Sequence, residues 1–149
     1  MVRRILTYGD PRLRKISSEI EDDEDVSTLL KDMWDTLLSS PSGVGLAAPQ
    51  IGVNKRMFVV DDKEGFKQTF INPEILELYG DDVVMDEGCL SIPGFHLNVT
   101  RPENVDITFE SVERGIEKRK FSGMISRIIQ HEYDHLNGIL WIDHLKNSC

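Results

Sequence analysis

Cysteine is almost missing from this chain: Cys89 and the last residue, Cys149, are the only two among 149. So few thiols staple little in a chain of this size, which excludes a disulfide framework and leaves Cys89 available for other work. Cys149 reads as an incidental exposed thiol. Long apolar runs are missing as well. No stretch approaches membrane-spanning length, and the basic start Met1-Val2-Arg3-Arg4 lacks the apolar segment of a signal peptide, so the chain reads as cytoplasmic, with no membrane partner. Positive charge is scarce: 17 Lys and Arg stand against 26 Asp and Glu, a formal net charge of -9. Bulk nucleic-acid binding needs clustered cations facing phosphates and is excluded on that ground.

What is present suits one domain over residues 1–149. Hydrophobic residues make up 40% and charged residues 29%, enough to bury a core without a disulfide or structural metal. Val26, Leu29, Leu30, Met33, Trp34, Leu37 and Leu38 recur at helical spacing and predict a core-facing helix over 26–38, with the acidic run Asp22 to Asp25 as its solvated cap. Short strand-like runs follow at 56–60, 69–71, 75–79 and 105–109. Turn chemistry at 61–65 and 113–115 predicts hairpin connections, and Asn72-Pro73 and Tyr79-Gly80-Asp81-Asp82 break the strand pattern. A second helix starts near Ser122, runs to Leu136 and stops at Asn137-Gly138. It is apolar on more than one face, as a helix covered by sheets would be. The fold class is therefore α+β: mostly antiparallel strands around this helix, with the other helix N-terminal to it.

That second helix carries His131-Glu132-x-x-His135. Histidines four apart stand one above the other on one helix face and can share a cation. Glu132 is placed to act on water that the cation polarises without itself being a ligand, which is what a general base requires. The competing reading, a solvated helix face, fits poorly with so apolar a helix. Two histidines leave a catalytic site short of the usual three protein ligands. Cys89, in Asp86-Glu87-Gly88-Cys89-Leu90-Ser91, is the candidate third ligand, and Gly88 beside it permits close backbone approach. A lone cysteine is as readily a small buried hydrophobe, so the motif by itself leaves both readings open.

Gly43-Val44-Gly45-Leu46-Ala47-Ala48-Pro49-Gln50 carries a Gly-x-Gly-x-x-Ala spacing. A dinucleotide fingerprint needs a strand before it and a helix after it; here a helix precedes and Pro49 follows. The segment reads better as an extended wall for a substrate backbone, with the Gln50 amide as a donor.

In this order and spacing, Gly43–Gln50, Glu87-Gly88-Cys89-Leu90-Ser91 and Gln130-His131-Glu132-Tyr133-Asp134-His135 resemble the three signature motifs of the peptide deformylases. The resemblance covers essentially the whole chain, including Gly9-Asp10-Pro11-Arg12-Leu13-Arg14 and Leu136-Asn137-Gly138. It implies hydrolysis of the formyl group from the N-terminal formyl-methionine of newly made polypeptides, releasing formate. It also implies Cys89, His131 and His135 as ligands of one divalent ion. Ligand softness admits Zn²⁺, Ni²⁺ or Fe²⁺, and the resemblance favours Fe²⁺. Glu132 becomes the general base, and the Gln50 amide and the Leu90 N–H become oxyanion donors. Ile128 and Met124, one and two turns before His131, would line the methionine pocket with Val44 and Met85, and the substrate backbone would lie against Gly45 and Gly88.

Three features depart from the expected pattern. His96 stands near where many members carry an Arg that holds the peptide. Arg127 stands where an apolar residue is expected and is read as turning outward to pair with an acid. The chain ends soon after Leu145, without the long C-terminal helix that docks some members on the ribosome, so a transient ribosome contact would need another route. Outside the family, a zinc protease cutting internal bonds would use the same helix, but Cys89 and the Gly43–Gln50 wall favour deformylation. An inactive metal-storing module would need neither Glu132 nor Gln50.

Overall fold

A computed structural model describes residues 1–147, and the side chains of 1–144; Cys149 lies outside the described residues. Helix α1 spans Ser27–Leu38. Strands β1 (Gly45–Ala47), β2 (Met57–Asp61), β3 (Lys67–Cys89), β4 (Ile92–Glu110) and β5 (Ile116–Ser122) form one sheet in the order β1-β2-β3-β4-β5. Every pairing in it is antiparallel. Helix α2 spans Gly123–Leu136. The class is α+β, as the periodicity predicts.

Strand alternation divides the core between the helices. Successive side chains on β2 point to opposite faces. Phe58 and Val60 join Phe70, Ile107, Phe109 and Phe121 against Ile128, Ile129 and Leu136 of α2. Met57 and Val59 join Leu46 and Ile71 against Met33 and Leu37 of α1. The sheet is thus a slab with one helix on each face, and α2 takes the side with the aromatic cluster, where Phe70 lies 4.7 Å from Phe58 and 4.4 Å from Phe109. The acidic cap of α1 is realised by one residue: the Asp25 carboxylate accepts from the Ser27 backbone N–H.

The strands differ from the sequence reading in length. Asn72-Pro73 and Tyr79–Asp82, read as breaks, are absorbed as register shifts within β3, at Ile71/Glu74 and Tyr79/Asp82. A bulge accommodates one residue without a ladder partner, so turn-forming residues there bend the strand and do not end it. Residues 83–89, 92–104 and β5 carry too many polar side chains to show a strand period, yet they pair across the β3–β4 hairpin and onto β4. No helix among the described residues is long and apolar enough to cross a membrane.

Asn137-Gly138 ends α2 as expected. Gly138 has φ +72°, and a Cβ there would lie 2.4 Å from the Arg14 carbonyl oxygen. Gly65 also has positive φ (+105°), but nothing lies within 4 Å of the corresponding Cβ position. Gly65→Ala therefore carries only a backbone penalty, about 1–2 kcal/mol, whereas Gly138→Ala adds a clash with main chain that cannot rotate away. Urea unfolding should show the larger loss for Gly138→Ala; equal losses would contradict this account of the α2 terminus.

Candidate metal centre

Helix α2 places His131 and His135 one turn apart with ring centroids 5.2 Å from each other. Cys89 is the last residue of β3, and only Leu90 and Ser91 separate it from Ile92, its partner across the hairpin. One ligand atom from each of Cys89, His131 and His135 lies within 4.8 Å of the others, with Cys89 Sγ 3.4 Å from His135 Nε2. Both imidazoles are buried and the thiol is half-buried. A soft sulfur and two ring nitrogens in one buried spot form a donor set that suits a divalent ion of the later first-row metals.

Behind His131 stands a residue that the sequence reading quoted but gave no role. The Glu87 carboxylate accepts from His131 Nδ1 at 2.9 Å, which leaves Nε2 for the cluster. It also accepts from Arg101 Nε and Nη2 at 2.7 and 3.0 Å, and from Arg127. Arg101 in turn donates to Asp134 at 3.0 Å. Burial opposes the charge on Glu87, but the His131 and Arg101 hydrogen bonds and their Coulombic attraction outweigh it and hold the carboxyl far below its ordinary range. Alternation along β3 puts residues 87 and 89 on the same face, so the carboxylate was findable from Cys89 by counting two back. Nothing in the sequence marked Arg101. Arg127 pairs with an acid as expected, Glu87, but its direction is corrected: it turns inward, only 5% exposed, because buried acceptors and not solvent satisfy its guanidinium.

Glu132 is buried, and its Oε1 has no hydrogen-bond partner among the described residues. Burial is the main reason its carboxyl is pushed up, to about 7; nearby His131 pulls the other way. On His131 burial opposes a charge, but hydrogen bonds to Cys89 and Glu87 and the nearby Glu132 outweigh it and push the ring up to about 10. His135 goes down, chiefly through burial and then through repulsion from His131. A Cβ at Gly45 would lie 2.7 Å from Glu132 Oε2, so the wall touches the carboxylate and only glycine fits. Gln50 accepts from the Ala47 N–H through Oε1 at 2.9 Å, and its Nε2 lies 3.1 Å from Ser91 Oγ and 3.7 Å from Cys89 Sγ. That lock aims the amide donor at the sulfur, and Leu90 sits in the turn directly after it.

A family model described as polypeptide deformylase matches residues 2–149. The chain belongs to the peptide deformylase family. It is 44% identical to the peptide deformylase of Cytophaga hutchinsonii over 99% of its own length and 84% of the relative's. The crystal structure of peptide deformylase from Thermotoga maritima superposes with a TM-score of 0.90 at 36% identity, covering 97% of each chain. A Met-Ala-Ser-bound peptide deformylase of Acinetobacter baumannii gives 0.89 at 32% identity, covering 97% of this chain and 98% of that one.

Next to the cluster lies a cavity of about 360 Å³. Of the residues expected to meet a deformylase substrate, Val44, Gly45, Gly88, Leu90, Met124 and Ile128 line it. Met85 does not. It pairs with Val99 one position before the lining stretch that begins at Asp86. His96 lies over Gly88 at the exposed mouth, with Nδ1 3.1 Å from Asp86.

Because the folded chain holds Glu87 as a carboxylate below its unfolded value of 4.5, its stabilisation is complete above that pH and is lost as acid protonates it. Glu87→Ala should cost about 3–5 kcal/mol near neutral pH, since it leaves the buried Arg127 guanidinium without an acid and Arg101 with Asp134 alone. The mutant's stability should then fall less steeply below pH 4.5 than the parent's. Urea titrations at several pH values check this, and parallel acid limbs for the two proteins would contradict it.

Proposed function

We propose that the chain removes the formyl group from the N-terminal formyl-methionine of newly made polypeptides, with Cys89, His131 and His135 holding one divalent ion. The observation that carries this is the convergence of those three side chains beside Glu132, a buried carboxylate with an unpaired oxygen. Bound there, the ion would supply a nucleophilic water at neutral pH by lowering its pKa. Fe²⁺ is the ion we infer, while the donor set also accepts Ni²⁺ and Zn²⁺.

The chain's own residues divide the remaining work. Glu132 takes the proton of the attacking water and delivers it to the leaving amine of methionine. A carboxyl raised to about 7 is suited to both transfers at neutral pH. The Gln50 amide and the Leu90 N–H face the oxygen of the formyl group as charge builds on it. Strand β1 has a strand partner on one edge only, and Gly45 on it and Val44 before it line the cavity. An extended peptide can therefore add along that edge, pairing its backbone as a further strand. Ile128, Met124 and Val44 provide the apolar contact for the methionine side chain.

Such a substrate places the enzyme in the cytoplasm, in transient contact with the ribosome. The whole span 1–149 acts as one catalytic domain.

Fe²⁺-loaded protein prepared without oxygen should release formate from formyl-Met-Ala and leave acetyl-Met-Ala intact; no formate from the first overturns the proposal. Glu132→Ala should lower kcat by at least about a hundredfold while metal content stays at one ion per chain, and metal loss in that variant would make Glu132 a ligand instead. Gln50→Ala should cost about a hundredfold or more in kcat, read with the same formate assay. Activity should decay in air, more slowly after nickel or zinc substitution, because iron and its thiolate are both oxidisable.

A further inference from the structure

Arg127 is a buried full charge that the proposed reaction does not use. Its guanidinium donates to Glu87 Oε2, to the Val99 carbonyl at 3.0 Å and to the Val83 carbonyl at 2.5 Å. Val83 and Glu87 lie on β3, the strand that ends in Cys89, and Val99 lies on β4. Arg127 itself sits one turn before His131 on α2. The three candidate donors therefore arrive on two separate pieces of backbone, Cys89 on the hairpin and both histidines on the helix.

Several ties cross that gap beside the cluster. Glu87 with His131 and Arg101 with Asp134 are made by side chains that rotate at both ends, and Gln130 Nε2 donates to the Pro102 carbonyl, on one strand of the hairpin only. Arg127 grips main chain on both strands of the hairpin, and main-chain carbonyls within a paired ladder have no rotamers. A planar guanidinium that meets two carbonyls and a carboxylate at once has a single pose. We propose that Arg127 is a positioning residue for the metal centre. It sets the hairpin carrying Cys89 at the distance from α2 at which Cys89, His131 and His135 share one ion.

This rests on the metal reading above, and the experiment separates the two. Zn²⁺ affinity is measured by chelator competition, and the thiolate-to-Co²⁺ charge-transfer absorption is recorded at metal saturation, for the parent and for Arg127→Met, Arg127→Lys and Arg114→Met. Methionine keeps an apolar chain of similar length but removes one partner of a buried pair, which lowers stability whatever else the residue does. Urea unfolding of each variant therefore accompanies the metal measurements, which are made on folded protein, where a residue that only fills the core would leave affinity and absorption unchanged. Arg127→Met should bind Zn²⁺ about tenfold or more weakly and show a shifted or weakened charge-transfer band. Arg127→Lys, a point charge that cannot span three acceptors, should fall between it and the parent. Arg114→Met, which removes a comparable arginine from the Glu110 pair, should match the parent.

Parent-like affinity and absorption in Arg127→Met would overturn the proposal. If that variant does not fold, parent-like values in Arg127→Lys overturn it equally. A parent protein that binds neither ion would sink the metal reading itself, before Arg127 enters.

Discussion

One buried carboxylate organises this molecule. Glu87 accepts from His131, Arg101 and Arg127, and through Arg101 it reaches Asp134. An isolated carboxylate at that depth would cost several kcal/mol and would protonate instead. Here every lone pair has a partner, so the charge persists, and its partners come from β4 and from two successive turns of α2. The helix is held to the hairpin at the place where the donor atoms converge. Apolar packing on the aromatic face brings α2 to the sheet. The polar network decides its register there.

Glu132 and Glu87 show how environment assigns opposite duties to like groups. Both are buried, but Glu87 is surrounded by donors and stays charged, while Glu132 lies against the Gly45 main chain with an oxygen unpaired, and burial pushes its carboxyl up to about 7. A carboxyl held there exchanges protons readily. The permanently charged one orients an imidazole. Gly45 makes the arrangement possible by bringing main chain against the carboxylate where any Cβ would intrude.

The chemistry was legible in the sequence to the extent that it lies in local spacing. His131, Glu132 and His135 share one helical turn, and that period is visible without a structure. Cys89 needed the family resemblance, because a strand end distant in sequence carries no periodic relation to a helix. The α1 and α2 boundaries were readable from apolar spacing and an Asn-Gly stop. The length of β3 and β4 was not, since stretches exposed on both faces, such as residues 76–82, lose the alternation that marks a strand, and turn-forming residues there bend it. Arg127 was misjudged for a related reason: a charged residue on an inward face looks like an error until its acceptors, Val83, Val99 and Glu87, come within reach.

The separation of Cys89 from the two histidines also governs when the site comes into being. The β3–β4 hairpin is closed by a two-residue turn and can pair early, whereas α2 must dock across a long loop of chain before sulfur and imidazoles meet. Metal affinity is thus a property of the finished tertiary structure, and ion binding draws the last folding step to completion. A partly folded chain offers the cation only scattered ligands. Metal uptake would therefore act as a proofreading step on the chain's own maturation, reserving the ion for molecules whose hairpin and helix have already met.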